Sequence, residues 1–370
     1  MTKASLRKLW FQIHKWIGIS LAIIIIPLSL SGSALVWHDE LDAAINPERQ
    51  VSGDGNAVLA PSAYIAAAKA HMESGQQISA IRFEERLAMA VTATNMQLPE
   101  QSYRPLKRTI LWLDPADGRL LDKRASNSGF MRTMEELHGS LFIPMYGRPV
   151  IGIIGVAMLL SSLSGLWLWW PITGRFSKGL KWRRGSDIFA NLHHQAGFWV
   201  CVPLAMLSFT GAWIAFPEIA AALSGTTAPS LAERMVRMRA RPLPVTNLAV
   251  DAVLAKAQAE KPGPLAGISW PTELDPAWKV SIRTSGKPAD VTIDDATGIV
   301  KAGGGRPGRI GMILRRMHDG IDMGPVWRAM IFVAGLLPTL LGVTGLVMWW
   351  RARSWRADVA LRSRRAKARI

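Results

Sequence analysis

Four apolar runs divide the chain, at residues 16–37, 149–170, 197–216 and 327–350. Each is close to the ~20 residues that carry a helix across a bilayer, so each predicts a transmembrane helix. The first is longer than a typical signal core and runs on into Trp37, an aromatic residue suited to a membrane interface, so it reads as a retained anchor. The long segments between these runs have a different pattern. In the first, residues 61–72 are helical in pattern, 78–83, 87–92 and 109–113 are strand-like, and Asp114 to Gly118 predicts a turn. In the second, 249–259 are helical, 278–283 and 290–293 strand-like, and Asp294 to Gly298 predicts the matching turn. The stretch 220–246 reads as a connecting, partly helical excursion.

The pattern is written twice. At an offset of 180, His138 recurs as His318, Arg148 as Arg328, Ser164-Gly165 as Thr344-Gly345, and Trp169-Trp170 as Trp349-Trp350. At an offset of 179, His14 aligns with His193, Gly18 with Gly197, and Ser31-Gly32 with Thr210-Gly211. The expected fold is an α-helical integral membrane protein: four transmembrane helices as a tandem duplication of span, outer module, span, with two small α+β modules. Parallel copies of this kind are related by a pseudo-two-fold axis along the membrane normal. The expected division is 1–37 (terminus and first span), 38–148 (outer module), 149–170 (second span), 171–196 (basic loop), 197–216 (third span), 217–326 (outer module), 327–350 (fourth span) and 351–370 (basic tail).

Charge sets the orientation. The chain has 370 residues and a formal net charge of +17. Most of that charge lies beside the spans: Lys3, Arg7, Lys8 and Lys15 before the first; Arg175, Lys178, Lys181, Arg183 and Arg184 between the second and third; and eight Lys or Arg residues after the fourth. Basic residues flanking spans face the cytosol, so both termini and the short loop are expected there and the long segments outside. The same placement argues against nucleic acid as the partner. Cys201, the single cysteine, lies inside a span and reads as a small apolar residue.

Six of the seven histidines fall at span ends. A lone interfacial histidine is unremarkable, but a two-fold axis brings equivalent positions face to face. His14 then meets His193 or its neighbour His194, and His138 meets His318, with His38 a further outer histidine. Facing imidazoles in a helical bundle suit a haem iron. His193 and His194 point about 100° apart on a helix, and the repeat register favours His193. Gly18 and Gly197, each four residues after a histidine, leave room for a flat ring. The Ser-Gly and Thr-Gly pairs read as sites of close helix packing. Arg148 and Arg328 suit either haem propionates or lipid phosphates. The sequence has no CxxC, no HExxH and no glycine-rich nucleotide loop after a strand. One difficulty stands: His14 and His38 are about 36 Å apart on a continuous helix, far for direct electron transfer between two haems.

The segments IHKWIG, SGSALVWHDELDAAINP, ELHGSL, SGLWLWWP, NLHHQAG, TGAW, RMHDG and TGLVMWW together resemble the PepSY-associated transmembrane helix family over nearly the whole chain. The resemblance implies four transmembrane helices and periplasmic PepSY-type modules in a bacterial inner membrane. Some members of that family look like haem-containing reductases of ferric siderophores. In that branch the haem ligands correspond to His14, His193 or His194, His138 and His318, with His38 a further candidate. The expected function is therefore a membrane protein with two b haems that passes electrons to ferric siderophores, fed by a quinol or a cytosolic reductase. The alternative is a non-enzymatic, membrane-anchored regulator or peptidase-binding protein, a role also associated with PepSY modules. Permease-like transport ranks lower, because no acid or base lies near the centre of a span.

Overall fold

The computed structural model describes residues 2–51, 58–83, 88–98, 104–170, 176–181, 187–284, 289–302 and 309–367. Leu87, Arg175, Arg183, Arg184 and Arg369, used in the sequence reading, lie outside the described residues. In chain order the helices are α1 (Lys3–Val36), α2 (His38–Ile45), α3 (Pro61–Lys69), α4 (Phe130–Ser140), α5 (Gly147–Trp169), α6 (Phe176–Gly179), α7 (Ile188–Ala215), α8 (Pro217–Leu223), α9 (Leu231–Met238), α10 (Val250–Glu260), α11 (Arg309–Asp319) and α12 (Pro325–Lys367). The strands are β1 (Gln76–Arg82), β2 (Met89–Asn95), β3 (Arg108–Leu113), β4 (Leu120–Ala125), β5 (Leu265–Ser269), β6 (Ala277–Ile282), β7 (Ala289–Asp294) and β8 (Val300–Ala302). They form two compact units. One comprises Met1–His38, Met134–Thr227 and Gly308–Ile370, the other Asp39–Thr133 and Ala228–Pro307.

In the helical unit α1, α5, α7 and α12 are each long and apolar enough to cross a membrane. They pack in a ring, α1 on α5 and α12, and α7 on the same two, which leaves α1 and α7 as a diagonal pair. Small residues allow the close approach. A Cβ on Gly335 would fall 2.6 Å from Ser33 Oγ, and one on Gly155 would fall 3.2 Å from the Ser208 carbonyl. Several hydroxyls are buried inside the spans, among them Ser31, Ser161, Ser164, Thr210 and Thr344. The helices also extend past the apolar runs. α1 begins at Lys3, because the flanking Lys, Arg and Gln residues are themselves good helix formers, and α7 begins at Ile188, behind an Asp187 cap whose carboxylate accepts from the Phe189 N–H. His14 and His193 therefore lie within long helices and not at their ends.

His138 and His318 sit on the separate short helices α4 and α11. Two turns make the separation. Between α4 and α5, Leu141, Phe142 and Met145 take positive φ (50°, 58° and 61°). Between α11 and α12, Asp322 does so at 57° beside Gly320 and Gly324. A left-handed residue with a side chain costs about 1–2 kcal/mol, so these turns are held by the surrounding structure. Gly147 completes the first turn, where a Cβ would overlap the Ser140 carbonyl.

The second unit corrects the expectation of two small modules. Its strands join in one eight-stranded antiparallel sheet, ordered β4-β3-β2-β1-β5-β6-β7-β8 among the described residues. The seam pairs Ala80 with Ser269, Ile81 with Ile268 and Arg82 with Gly267. The sequence reading had no β5, which is short and carries a glycine. That glycine is required by the seam, since a Cβ on Gly267 would lie 2.9 Å from the Ile81 carbonyl. Helices α3 and α10 pack on the sheet and on each other. Tyr64, Ile81, Leu111, Val253, Trp278 and Ile293 form the centre of the core. Both expected turns are present: Gly118 N–H donates to the Asp114 carbonyl (2.8 Å) and Gly298 N–H to that of Asp294 (2.9 Å).

Candidate functional site

The diagonal helices α1 and α7 bring His14 and His193 together, with ring centres 6.4 Å apart and planes crossed at 81°. His194, next to His193, is half-buried, and the ring contact with His14 is made by His193. His138 of α4 and His318 of α11 form a second pair, with centres 6.2 Å apart and planes at 36°. Burial lowers the pKa of both rings of this second pair, so they are neutral imidazoles at pH 7.

Three of the four histidines rest on a hydroxyl–glycine pair of another helix, and His138 rests on a glycine and a backbone carbonyl of α1. His14 Nδ1 lies 3.1 Å from Ser164 Oγ and 3.1 Å from the Ser161 carbonyl, and its Cε1 would touch a Cβ on Gly165 at 3.1 Å. His193 Nδ1 lies 3.0 Å from Thr344 Oγ1, with Gly345 beside its Cε1. His318 Nδ1 lies 3.0 Å from Thr210 Oγ1, with Gly211 beside its Cε1. His138 Nδ1 donates to the Leu28 carbonyl at 3.0 Å, and its ring lies against Gly32, where a Cβ would fall 2.5 Å from Cε1. Ser164-Gly165, Thr210-Gly211, Thr344-Gly345 and Gly32 are thus imidazole seats, a role that the helix-packing expectation does not include. A signal was available. Each span carries one such pair, and the pairs follow the same 179 and 180 offsets as the histidines.

The seats also place the second pair. The His138 ring sits beside Leu28 and Gly32 of α1, which are 14 and 18 residues beyond His14. At ~1.5 Å per residue the two pairs are about 21–27 Å apart along α1, not 36 Å.

The remaining expected residues are placed as follows. His38 is part-exposed, and its Nε2 lies 3.6 Å from Glu135 Oε1. A Cβ on Gly18 would meet nothing within 4 Å, and one on Gly197 would meet only the end of Leu341 at 3.9 Å, so both positions are open. Arg148 donates to the Ile214 carbonyl at 2.8 Å near the end of α7. Arg328 donates to the Val36 carbonyl at 2.7 Å at the end of α1 and lies over the Trp37 ring. A cation at the C-terminal carbonyls of a helix is favourable, so both arginines have a structural role without propionate or phosphate.

The residues fit a haem. Two imidazoles bound at about 2.0 Å to one iron have ring centres roughly 6 Å apart, the separation of both pairs. Among the described residues no group of three or more His, Cys, Asp or Glu side chains could hold a metal ion. Two histidines alone are an incomplete ligand set, and a haem macrocycle would supply the other four nitrogens. Gly18 and Gly197 leave space against the backbone beside the first pair.

A comparison with functionally curated proteins gives no match. Residues 11–352 match the family described as the PepSY-associated TM region, which takes in all four apolar helices, both histidine pairs and the strands of the sheet. The chain is a multi-pass membrane protein and belongs to the PepSY-associated TM family.

Proposed function

We propose that the protein is a bacterial inner-membrane b-haem electron carrier that reduces ferric iron in siderophore chelates at its periplasmic face, freeing the iron for uptake. The observation that carries this reading is the two half-buried imidazole pairs, at 6.4 and 6.2 Å, at two depths of one helical bundle. Paired histidines whose Nδ1 atoms are held by groups of other helices weigh against the regulatory alternative, in which interfacial histidines would be solvated. Their recurrence at offsets of 179 and 180 supports two halves related by a pseudo-two-fold axis. The basic flanks support cytosolic termini, which would put His14 and His193 toward the cytosolic side and His138 and His318 toward the periplasmic side.

Haem in these sites would supply one-electron centres whose potentials follow axial ligation and burial. The chain's own residues do the rest. His14 with His193, and His138 with His318, would hold the two irons, and the apolar bundle would keep water from them. Each ferric ion takes one electron and leaves its chelator as ferrous ion, which hard oxygen donors hold far less tightly. A quinol or a cytosolic reductase supplies the electron.

The test is a reduced protein in lipid vesicles, loaded with hemin and mixed with ferric hydroxamate or ferric catecholate chelates in the presence of a ferrous-specific dye. Reoxidation of the haem band should accompany one dye-bound ferrous ion per electron. A haem band that stays reduced with every chelate would mean that the acceptor is something else.

A further inference from the structure

We infer that Ser164, Thr210 and Thr344, with the Leu28 carbonyl, are positioning residues that hold all four paired histidines in the Nδ1-protonated form and so reserve each Nε2 for iron. The purpose rests on the bis-histidine reading above, while the tautomers can be measured without it.

The argument is a proton count. A backbone carbonyl only accepts, so His138 Nδ1, 3.0 Å from the Leu28 carbonyl, carries the proton. The two threonines lead to the same result by another route. Thr344 Oγ1 donates its own proton back along α12 to the Leu340 carbonyl at 2.8 Å. Thr210 Oγ1 donates likewise along α7 to the Met206 carbonyl at 2.8 Å. Back-bonding of this kind is the usual fate of a hydroxyl inside a helix. With its proton committed, each oxygen offers only lone pairs, so His193 Nδ1 and His318 Nδ1, both at 3.0 Å, must donate. Ser164 Oγ is committed in the same way to the Ser161 carbonyl at 2.9 Å. His14 Nδ1 then donates into the angle between that carbonyl and the hydroxyl oxygen, each at 3.1 Å.

The four rings therefore reach one protonation pattern through three different sets of partners. A neutral imidazole with its proton on Nδ1 has its lone pair on Nε2, the form that binds a metal. The partner of the opposite nitrogen fixes ring orientation and raises ligand basicity. Greater basicity stabilises ferric over ferrous iron, so each seat lowers the potential of its own haem.

The experiment has two arms, both on the full chain in nanodiscs. In the first, ¹⁵N-histidine spectra are recorded without haem. The expected result is an Nδ1–H, unprotonated-Nε2 pattern for His14, His138, His193 and His318. An Nε2–H pattern at any of them overturns the inference. In the second, the protein is loaded with hemin and titrated electrochemically. Thr344→Val should raise the potential of the His14–His193 haem alone, and Thr210→Val that of the His138–His318 haem alone. Thr344→Ser and Thr210→Ser should restore the wild-type values, and haem content should be unchanged throughout. Unshifted potentials with haem retained would remove the tuning role. Correct tautomers with no hemin uptake would support the positioning role and remove the haem reading.

Discussion

Gly32→Ala is expected to cost the protein one of the two haems proposed for it, and Gly345→Ala neither. The difference follows from the space at each seat. A Cβ on Gly32 would lie 2.5 Å from His138 Cε1 and 2.8 Å from its Nδ1, well inside contact distance. On Gly165 and Gly211 the nearest imidazole atom would be 3.1 Å away, and on Gly345 it would be 3.5 Å, an ordinary contact. His138 cannot retreat cheaply, because its Nδ1–H is bonded to the Leu28 carbonyl, and a buried donor left unpaired costs about 1–3 kcal/mol. A metal–ligand distance tolerates only about 0.2 Å. The ring that moves away from Gly32 therefore leaves its iron. Haem extraction and quantitation per chain checks this. Loss of both haems in Gly32→Ala, or a loss in Gly345→Ala equal to that in Gly32→Ala, would contradict the seats.

The largest stability effect is expected in the sheet unit, from Asp295→Ala. Asp295 is buried and accepts from Trp278 Nε1 at 2.7 Å, from the Asn247 and Leu248 backbone N–H groups at 3.0 and 3.2 Å, and from Asn247 Nδ2 at 3.1 Å. Removing the carboxylate strands these donors, including that of the fully buried Trp278, and should cost about 3 kcal/mol. Asp295→Asn keeps one acceptor and should cost less. Burial alone would raise the Asp295 pKa, but the donors from Asn247, Trp278 and Leu248 outweigh it and hold the carboxyl below the usual value. A depressed pKa contributes stability that is complete above the unfolded value near 3.9 and is lost as pH falls through the folded value. The wild-type sheet should therefore weaken below about pH 4, and Asp295→Asn should lack that part of the loss. Hydrogen exchange of the β6 and β7 peptides in the full chain measures both effects. Exchange in Asp295→Ala equal to wild type would contradict the account.

Much of the helical unit was readable from residue pattern alone. The four apolar runs became α1, α5, α7 and α12, and the histidines that share a repeat register lie against each other. What the pattern hid was local geometry. A continuous helix through the outer histidines gave too long a path between the pairs. The positive-φ turns at Leu141–Phe142 and Asp322 let α4 and α11 fold as separate helices, and their histidines rest deeper in the bundle. Serine and glycine in a membrane helix usually mean packing, so the seats became visible only once a ring was seen against each. The single sheet was hidden for a similar reason. Its joining strand β5 contains Gly267, which lowers strand propensity but is needed where the backbone of β1 approaches.

The bis-histidine claim is tested most directly by low-temperature electron paramagnetic resonance of the oxidised, hemin-loaded protein. A low-spin ferric spectrum depends on the angle between the two axial imidazole planes, which is 81° in one pair and 36° in the other. Two distinct low-spin signals are predicted, one absent from His14→Ala and the other from His318→Ala. A high-spin signal, no haem signal at all, or the same residual spectrum in both variants would contradict the account.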